Sequence, residues 1–188
     1  PITVHRPSMI VGHSITGHVP HFQIFYHLIE FLSGRRTVGL LPNLSNRKID
    51  LIPADYVSQV IIWSSCTQQT IGKILHLCSG PDLAVSLETI KTIVEKKFLE
   101  RKQSIPRSFI LPIPWFSKLT QIIMKIAPPR HKRAFAILPI FLDYLLEEQI
   151  FSNSNTIDLL NMQGIKQPIP QDFLDPVISY YLNKKTNL

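Results

Sequence analysis

Val4-His5-Arg6-Pro7-Ser8-Met9-Ile10-Val11-Gly12, followed by Ser14, Thr16 and Gly17, is the stretch on which the reading of the fold turns. Ile2 to Val4 is short and β-branched, and Pro7 follows it, the pattern of a buried strand that stops at a turn. Ser8 to Val19 then reads as an irregular loop punctuated by Gly12 and Gly17. In open α/β sheets ligands bind at the carboxyl ends of strands. Pro7 stiffens the backbone at such an end, where a flat ring could pack.

Downstream, strand and helix patterns alternate. Pro20 suits a helix start, and Phe22, Phe25, Tyr26, Ile29 and Leu32 share one helical face that stops at Gly34. Val38 to Leu41 and Ile49 to Ile52 read as a strand pair joined through the polar run Asn43 to Lys48. The second of these belongs to Ile49-Asp50-Leu51-Ile52-Pro53-Ala54-Asp55-Tyr56-Val57. There a strand end delivers Asp55 to the start of a helix, where the dipole favours a carboxylate. Val57, Val60, Ile61 and Ser64 line that helix's inner face, and Lys73 to Cys78 reads as another buried strand. Ser86 is a fitting N-cap for a helix burying Leu87, Ile90, Val94 and Phe98.

After Arg101 the texture changes. Pro106, Pro112 and Pro114 interrupt the chain, and helices are expected at 115–126 and 132–148, near 164 and over about 172–184. The expected architecture is therefore α/β with an appended mainly helical lobe, divided into residues 1–103 and 104–188.

Composition narrows the class. The chain has 188 residues, enough for a real core, and 45% hydrophobic against 18% charged residues excludes a disordered polymer. It opens on Pro1 without a start methionine or a secretory pattern, so a piece of a longer protein is expected. The most apolar stretch, Ala134 to Leu146, is too short to span a bilayer and contains Pro139 and Asp143. Cys66 and Cys78 make neither a disulfide framework nor a metal spacing, which points to a reducing, cytoplasmic compartment. The net charge of +7 has its densest cluster at Lys125, Arg130, His131, Lys132 and Arg133. It is not interleaved with aromatics as a nucleic-acid stripe would be, so a solvated turn, an acidic partner or an anionic cofactor tail remains.

Several chemical motifs fail. No G-x-G-x-x-G occurs, and where the Gly12–Gly17 spacing imitates a P-loop, His18 and Val19 stand in place of Lys and Ser/Thr. His5, His13, His18, His21 and His27 crowd the start without a neighbouring Cys or carboxylate, so they fit the polar lining of a pocket better than a metal site. There is no G-x-S-x-G elbow. Tyr180 and Lys184, like Tyr181 and Lys185, have Tyr-x-x-x-Lys spacing, but in a last helical turn where no dry site is expected.

The two quoted segments, taken in order, resemble the downstream half of the extended short-chain dehydrogenase/reductases. The R-P-S-x-I-x-G strand end resembles that family's sixth sheet strand, and Asp50 to Val57 resembles its D-x-x-P-V-D-x-V element. Ser14-Ile15-Thr16-Gly17, Phe151 to Thr156, Gly164-Ile165 and Tyr180-Tyr181 are similar to the thioester reductase and fatty acyl reductase branch, the male-sterility type. The resemblance implies the C-terminal part of a Rossmann-like doubly wound sheet with a substrate-binding lobe. It implies that Pro7, Ser8, Met9 and Ile10 flank the nicotinamide end of NADP, with NAD as the other possibility. It also implies that His13, Ser14, Thr16, Phe22 and Tyr26 line a substrate pocket, to which Phe25 and Trp115 add apolar faces. The family often has Asp where His13 stands.

The glycine fingerprint and catalytic Tyr/Lys pair are expected upstream of Pro1, in the same or another chain, which leaves no catalytic residue here. The expected function is the substrate-binding part of an NAD(P)-dependent reductase acting on a fatty acyl or carrier-bound thioester. An acyl carrier protein or acyl-CoA would then be its partner. The alternatives are part of a nucleotide-sugar epimerase/dehydratase or hydroxysteroid-type dehydrogenase, and a non-catalytic binding module.

Overall fold

Short parallel strand pairs, each formed by segments far apart in sequence, organise the chain. The computed structural model describes residues 1–126 and 151–186. Residues 1–26, 49–85 and 149–188 form one compact unit, and residues 27–48 and 86–148 a second. The expected division after residue 103 runs through the second unit. The fold class is mixed α/β, as the alternating patterns imply.

In the first unit, β1 (Val4–Pro7) pairs in parallel with β6 (Ile74–Leu77), Val4 opposite Ile74 and Pro7 opposite Leu77. Immediately after it, β2 (Met9–Val11) pairs in parallel with β5 (Leu51–Pro53). The expected buried strand is thus displaced and exposed. It runs over Val4–Pro7, and Val4 is 39% exposed because β1 pairs only with β6 among the described residues. Part of the expected loop after Pro7 is itself strand β2.

Helix α2 (Ala54–Ser65) follows β5 without a connecting residue. Pro53 at its cap has the extended φ and ψ of a strand end, so the chain turns from strand into helix at one residue. The helix buries Tyr56, Val57, Val60 and Ser64, whereas Ile61, expected inward, is exposed. The core collects Ile52, Tyr56, Val60, Leu75, Leu77 and Leu160, the last from helix α5 (Ser154–Asn161). Helix α6 (Pro170–Thr186) closes the unit with Phe173, Leu174, Val177 and Ile178 buried, and carries Pro176 inside.

Helix α1 (Ile24–Leu32) begins in the first unit and ends in the second, four residues later than Pro20 suggests. In the second unit β3 (Leu40–Pro42) pairs in parallel with β8 (Phe109–Leu111), a strand hidden among prolines. The expected hairpin between Val38–Leu41 and Ile49–Ile52 does not form. Their partners are β8 and β2, and each pairing is parallel, which a short turn cannot connect. Two-residue strands β4 (Lys48–Ile49) and β7 (Val85–Ser86) precede β5 and the helix that starts at Leu87.

Helix α3 (Leu87–Glu100) follows its sequence closely. The Ser86 hydroxyl accepts the Thr89 N–H at 3.0 Å, and Leu87, Ile90, Val94 and Phe98 are buried. Helix α4 (Ile113–Ile126) places Phe116 edge-on against Phe31. The helix expected over 132–148 and the residues Arg130 to Arg133 lie outside the described residues. No helix among the described residues is long and apolar enough to cross a membrane.

Candidate functional site

The site is built on the loop that leaves β2. At Gly12 a Cβ would collide with the carbonyl oxygen of Gly17, so the loop closes on itself only because glycine stands there. The His13 N–H donates to the His18 carbonyl at 2.9 Å, and the Gly17 N–H to the His13 carbonyl at 2.8 Å. Gly17 has φ +68°, and a Cβ there would strike the Pro176 carbonyl of α6. The seventeenth residue is therefore fixed twice, by its own backbone and by close approach of the last helix.

Two side chains from distant segments hold the loop's amides. The Tyr26 hydroxyl accepts the Gly12 N–H at 3.0 Å. Burial pushes the Tyr26 phenol up to about 12, against the opposing Gly12 hydrogen bond, with Tyr180 adding to the rise. Asp55, in the first turn of α2, accepts the Ser14 N–H at 2.8 Å and the Ser14 hydroxyl at 2.6 Å. Partial burial raises the Asp55 carboxyl, but the Ser14 hydrogen bonds, one from its own backbone and the nearby His13 together hold it below the ordinary carboxylate value.

Beside the loop lies an open depression of about 710 Å³ whose lining includes His13, His18, Asp55, Ser58, Gln59 and Trp63. His13 Nδ1 accepts the Ile15 N–H at 3.2 Å. The His18 ring stands edge-on to Tyr180, with centroids 5.5 Å apart. Of the residues expected to line a substrate pocket, His13 borders this depression and Ser14 is turned to Asp55. Thr16 is exposed, its hydroxyl accepting the His18 N–H at 3.3 Å. Phe22 packs edge-on against Tyr26 and Tyr181, at 5.0 and 4.8 Å between centroids. Tyr26 is buried with 1% exposure, and Phe25 is buried as well. Trp115 is exposed and belongs to the second unit.

At the strand end expected to flank a cofactor, Pro7 is exposed and Met9 and Ile10 sit in the pairing with β5. The Ser8 N–H donates to the Leu77 carbonyl at 2.9 Å, bridging the gap between β1 and β2. The Ser8 hydroxyl oxygen is buried and has no hydrogen-bond partner among the described residues. A buried hydroxyl without a partner costs about 1–3 kcal/mol, so a ligand's polar group fits that position.

A second polar cluster escaped the sequence reading. Asp50 accepts the Ser79 and Gly80 N–H groups at 2.7 and 3.1 Å, which anchors the turn after β6. Asn153 donates to the Cys78 carbonyl at 2.6 Å, and Gln167 donates to the Ser79 carbonyl at 2.6 Å. Burial first, and then Asp50, pushes the Cys78 thiol up to about 11, which makes it an inert packing group. The Asp50 carboxylate ahead of Pro53 was a signal for this cluster, whereas Asn153 and Gln167 had none.

The Tyr180–Lys184 spacing borders the site, since Tyr180 meets His18. Lys184 lies over the Tyr180 ring at 5.8 Å from its centroid, on the last turns of α6. Among the described residues no group of three or more His, Cys, Asp or Glu could hold a metal ion.

Residues 1–61 match the family model described as male sterility protein. A non-canonical nonribosomal peptide synthetase, FrzA of a Cladobotryum species, is 25% identical over 189 residues, spanning 98% of this chain and 17% of its own length. The aldehyde reductase lnaA of Aspergillus flavus is 35% identical over 101 residues, 50% of this chain and 9% of that protein. The chain thus spans a small fraction of the curated relatives it matches. Among solved structures, the terminal R domain from the myxalamid PKS-NRPS biosynthetic pathway superposes with a TM-score of 0.69 at 21% identity, covering 100% of this chain and 44% of that one. A thiolation-reductase di-domain from an archaeal non-ribosomal peptide synthetase gives 0.66 at 17% identity, covering 100% of this chain and 37% of that one.

Proposed function

From a chain that matches the male-sterility family over residues 1–61, and is in fold the C-terminal portion of an extended short-chain dehydrogenase/reductase, we propose the substrate-side part of an NADP-dependent thioester reductase. The depression beside loop 12–18 receives the acyl or carrier-bound thioester. The strand end Pro7 to Ile10 borders the nicotinamide end of the cofactor, NADP being favoured over NAD. When bound, that cofactor supplies the hydride that reduces the carbonyl carbon.

The observation that carries this reading is the closeness in sequence of two features of the first unit. Ser8 keeps a buried, partnerless hydroxyl, and four residues later begins the clamped loop that borders the depression. The residues of this chain bind and orient. Ser8 offers its hydroxyl to a polar group of the cofactor. Asp55 and Tyr26 hold the loop so that His13 and His18 face a thioester arm with little loss of entropy on binding. The acid-base pair of the family, and most of the cofactor's contacts, are assigned to residues outside this sequence. Carrier recognition falls to the basic residues around Lys125 to Arg133, where opposite charge would steer an acidic carrier or coenzyme A.

Trp63 makes the reading testable, because it lines the depression. The Trp115→Phe variant keeps Trp63 as its single tryptophan. Titration with a short acyl-pantetheine thioester should change its fluorescence saturably, and a nucleotide sugar should not. A saturable response to the sugar alone transfers the fold to the epimerase reading. Absence of any response to the thioester refutes the proposed site. NADPH should bind this chain weakly or not at all, and tight binding would overturn the assignment of its contacts elsewhere.

A further inference from the structure

The second unit contains a cavity that the proposed reductase site does not use. It has a volume of about 120 Å³, and Phe31, Leu32, Leu41, Leu44 and Leu87, all buried, make its floor. Ile110, 62% exposed, stands at its rim with the exposed Asn43, Ser45 and Glu88. We propose that this cavity is a binding site for the end of a neutral, unbranched aliphatic chain, such as a medium-chain alcohol or aldehyde.

The floor decides the apolar character. Every side chain there is hydrocarbon, so water inside would lack the two to four polar partners it needs, and an apolar cavity of this kind stays dry. Engineered cavities of roughly 150 Å³ with such walls take up benzene, so this one has room for roughly four or five carbon atoms.

The rim decides the charge. Asn43 Oδ1 already accepts the Ser45 N–H at 3.2 Å and the Ser45 hydroxyl at 2.7 Å. Lys91, which also lines the cavity, is engaged by Glu95 at 2.5 Å. Lys91 is the only cation among the described lining residues and is already engaged, and the exposed Glu88 would repel a carboxylate. A hydroxyl or carbonyl head can remain in the wet rim while its tail fills the floor.

The walls are also pre-formed. Leu41 is held opposite Ile110 in the β3–β8 pairing, and the Asn43 N–H donates to the Leu111 carbonyl at 2.8 Å. Leu87 is fixed by the capped start of α3, its N–H donating to the Arg47 carbonyl at 2.9 Å. A tail entering the cavity therefore orders little of the protein.

The test is a titration of the 188-residue chain with 1-hexanol, followed by amide shifts in two-dimensional NMR. Saturable shifts clustered at Leu41, Leu44 and Leu87 are expected. Hexanoate should bind more weakly, because the exposed Glu88 at the rim repels its carboxylate. 1-Decanol should gain little over 1-hexanol, since only roughly five carbons fit. Leu44→Trp fills the floor, and Ile110→Trp lids the rim from an exposed position that folding tolerates. Each should weaken hexanol binding by at least about tenfold, the effect of losing a well-packed contact of roughly 1.4 kcal/mol. If Leu44→Trp fails to fold, Ile110→Trp decides. Equal binding by the wild type and Ile110→Trp would overturn the proposal, and so would shifts that never saturate.

Discussion

Replacing Asp55 by Ala should loosen the loop that carries the proposed site, by an amount that depends on pH in a predictable direction. The carboxylate accepts two hydrogen bonds from Ser14, at 2.8 Å from the N–H and 2.6 Å from the hydroxyl. Hydrogen bonds to a charged group contribute about 1.5–3 kcal/mol each. The site is only half-buried, so water replaces part of what is lost, and the expected cost is about 2–4 kcal/mol rather than the sum. Asp55→Asn keeps one acceptor and should cost about half as much. The folded carboxyl lies below its unfolded value, so its contribution is complete above the unfolded pKa, about 4. It drains as pH falls through the lower folded pKa. Urea unfolding of Trp115→Phe, followed through Trp63, reads this unit. The gap between wild-type and Asp55→Ala midpoints should be widest at pH 7 and should narrow as pH falls below about 4. Ser14→Ala should cost about 1 kcal/mol, and much less once Asp55 is already Ala, because the pair shares one interaction. A gap that stays constant from pH 7 to pH 3, or additive Ser14 and Asp55 effects, would refute the clamp.

Other residues make separate claims. Tyr26→Phe leaves the buried Gly12 N–H without its acceptor and should destabilise by about 1–3 kcal/mol, read from the same urea midpoints; an unchanged midpoint would deny Tyr26 its role. Burial, opposed at Tyr26 by Gly12, also raises the Tyr26 and Tyr56 phenols to about 12. Absorbance at alkaline pH should therefore show Tyr26 and Tyr56 ionising late. Their stabilising effect, complete below the unfolded value near 10, is lost as pH rises towards 12. Ser86→Ala should cost about 1 kcal/mol by removing the α3 cap, seen as a drop in thermal midpoint.

Local signals were legible and distant ones were not. The α3 cap at Ser86 and its buried row Leu87, Ile90, Val94 and Phe98 follow from spacing alone, because cap and face lie within one helix. The start of α2 at Pro53 and the placement of Asp55 in its first turn are local in the same sense. The partner of Asp55 is not, since Ser14 lies 41 residues away. The strand pairings failed for the same reason. Val38–Leu41 and Ile49–Ile52 invite a hairpin by proximity, but the parallel partners β8 and β2 are chosen by tertiary packing. Strand β8 was missed because Phe109 and Ile110 are exposed and flanked by prolines, which hides both period and propensity. The resemblance implies that Tyr26 lines a pocket, and only the position of the Gly12 amide reveals it as a clamp.

These clamps explain why Ser8 stands out. From Gly12 to Gly17 the loop's own bonds, Tyr26, Asp55 and the close approach of α6 fix the backbone from several directions. The turn after β6 is satisfied as thoroughly by Asp50, Asn153 and Gln167. Between these two settled regions lies Ser8, whose N–H is bonded to Leu77 and whose hydroxyl has no partner among the described residues. On the proposed function, that open hydroxyl is the group held for the cofactor's polar atom. An unmet hydrogen bond at a buried hydroxyl would be satisfied on binding, which on that proposal favours the ligand. Loosening the clamp at Asp55 and removing the hydroxyl at Ser8 should therefore act on the same event, one through position and the other through contact.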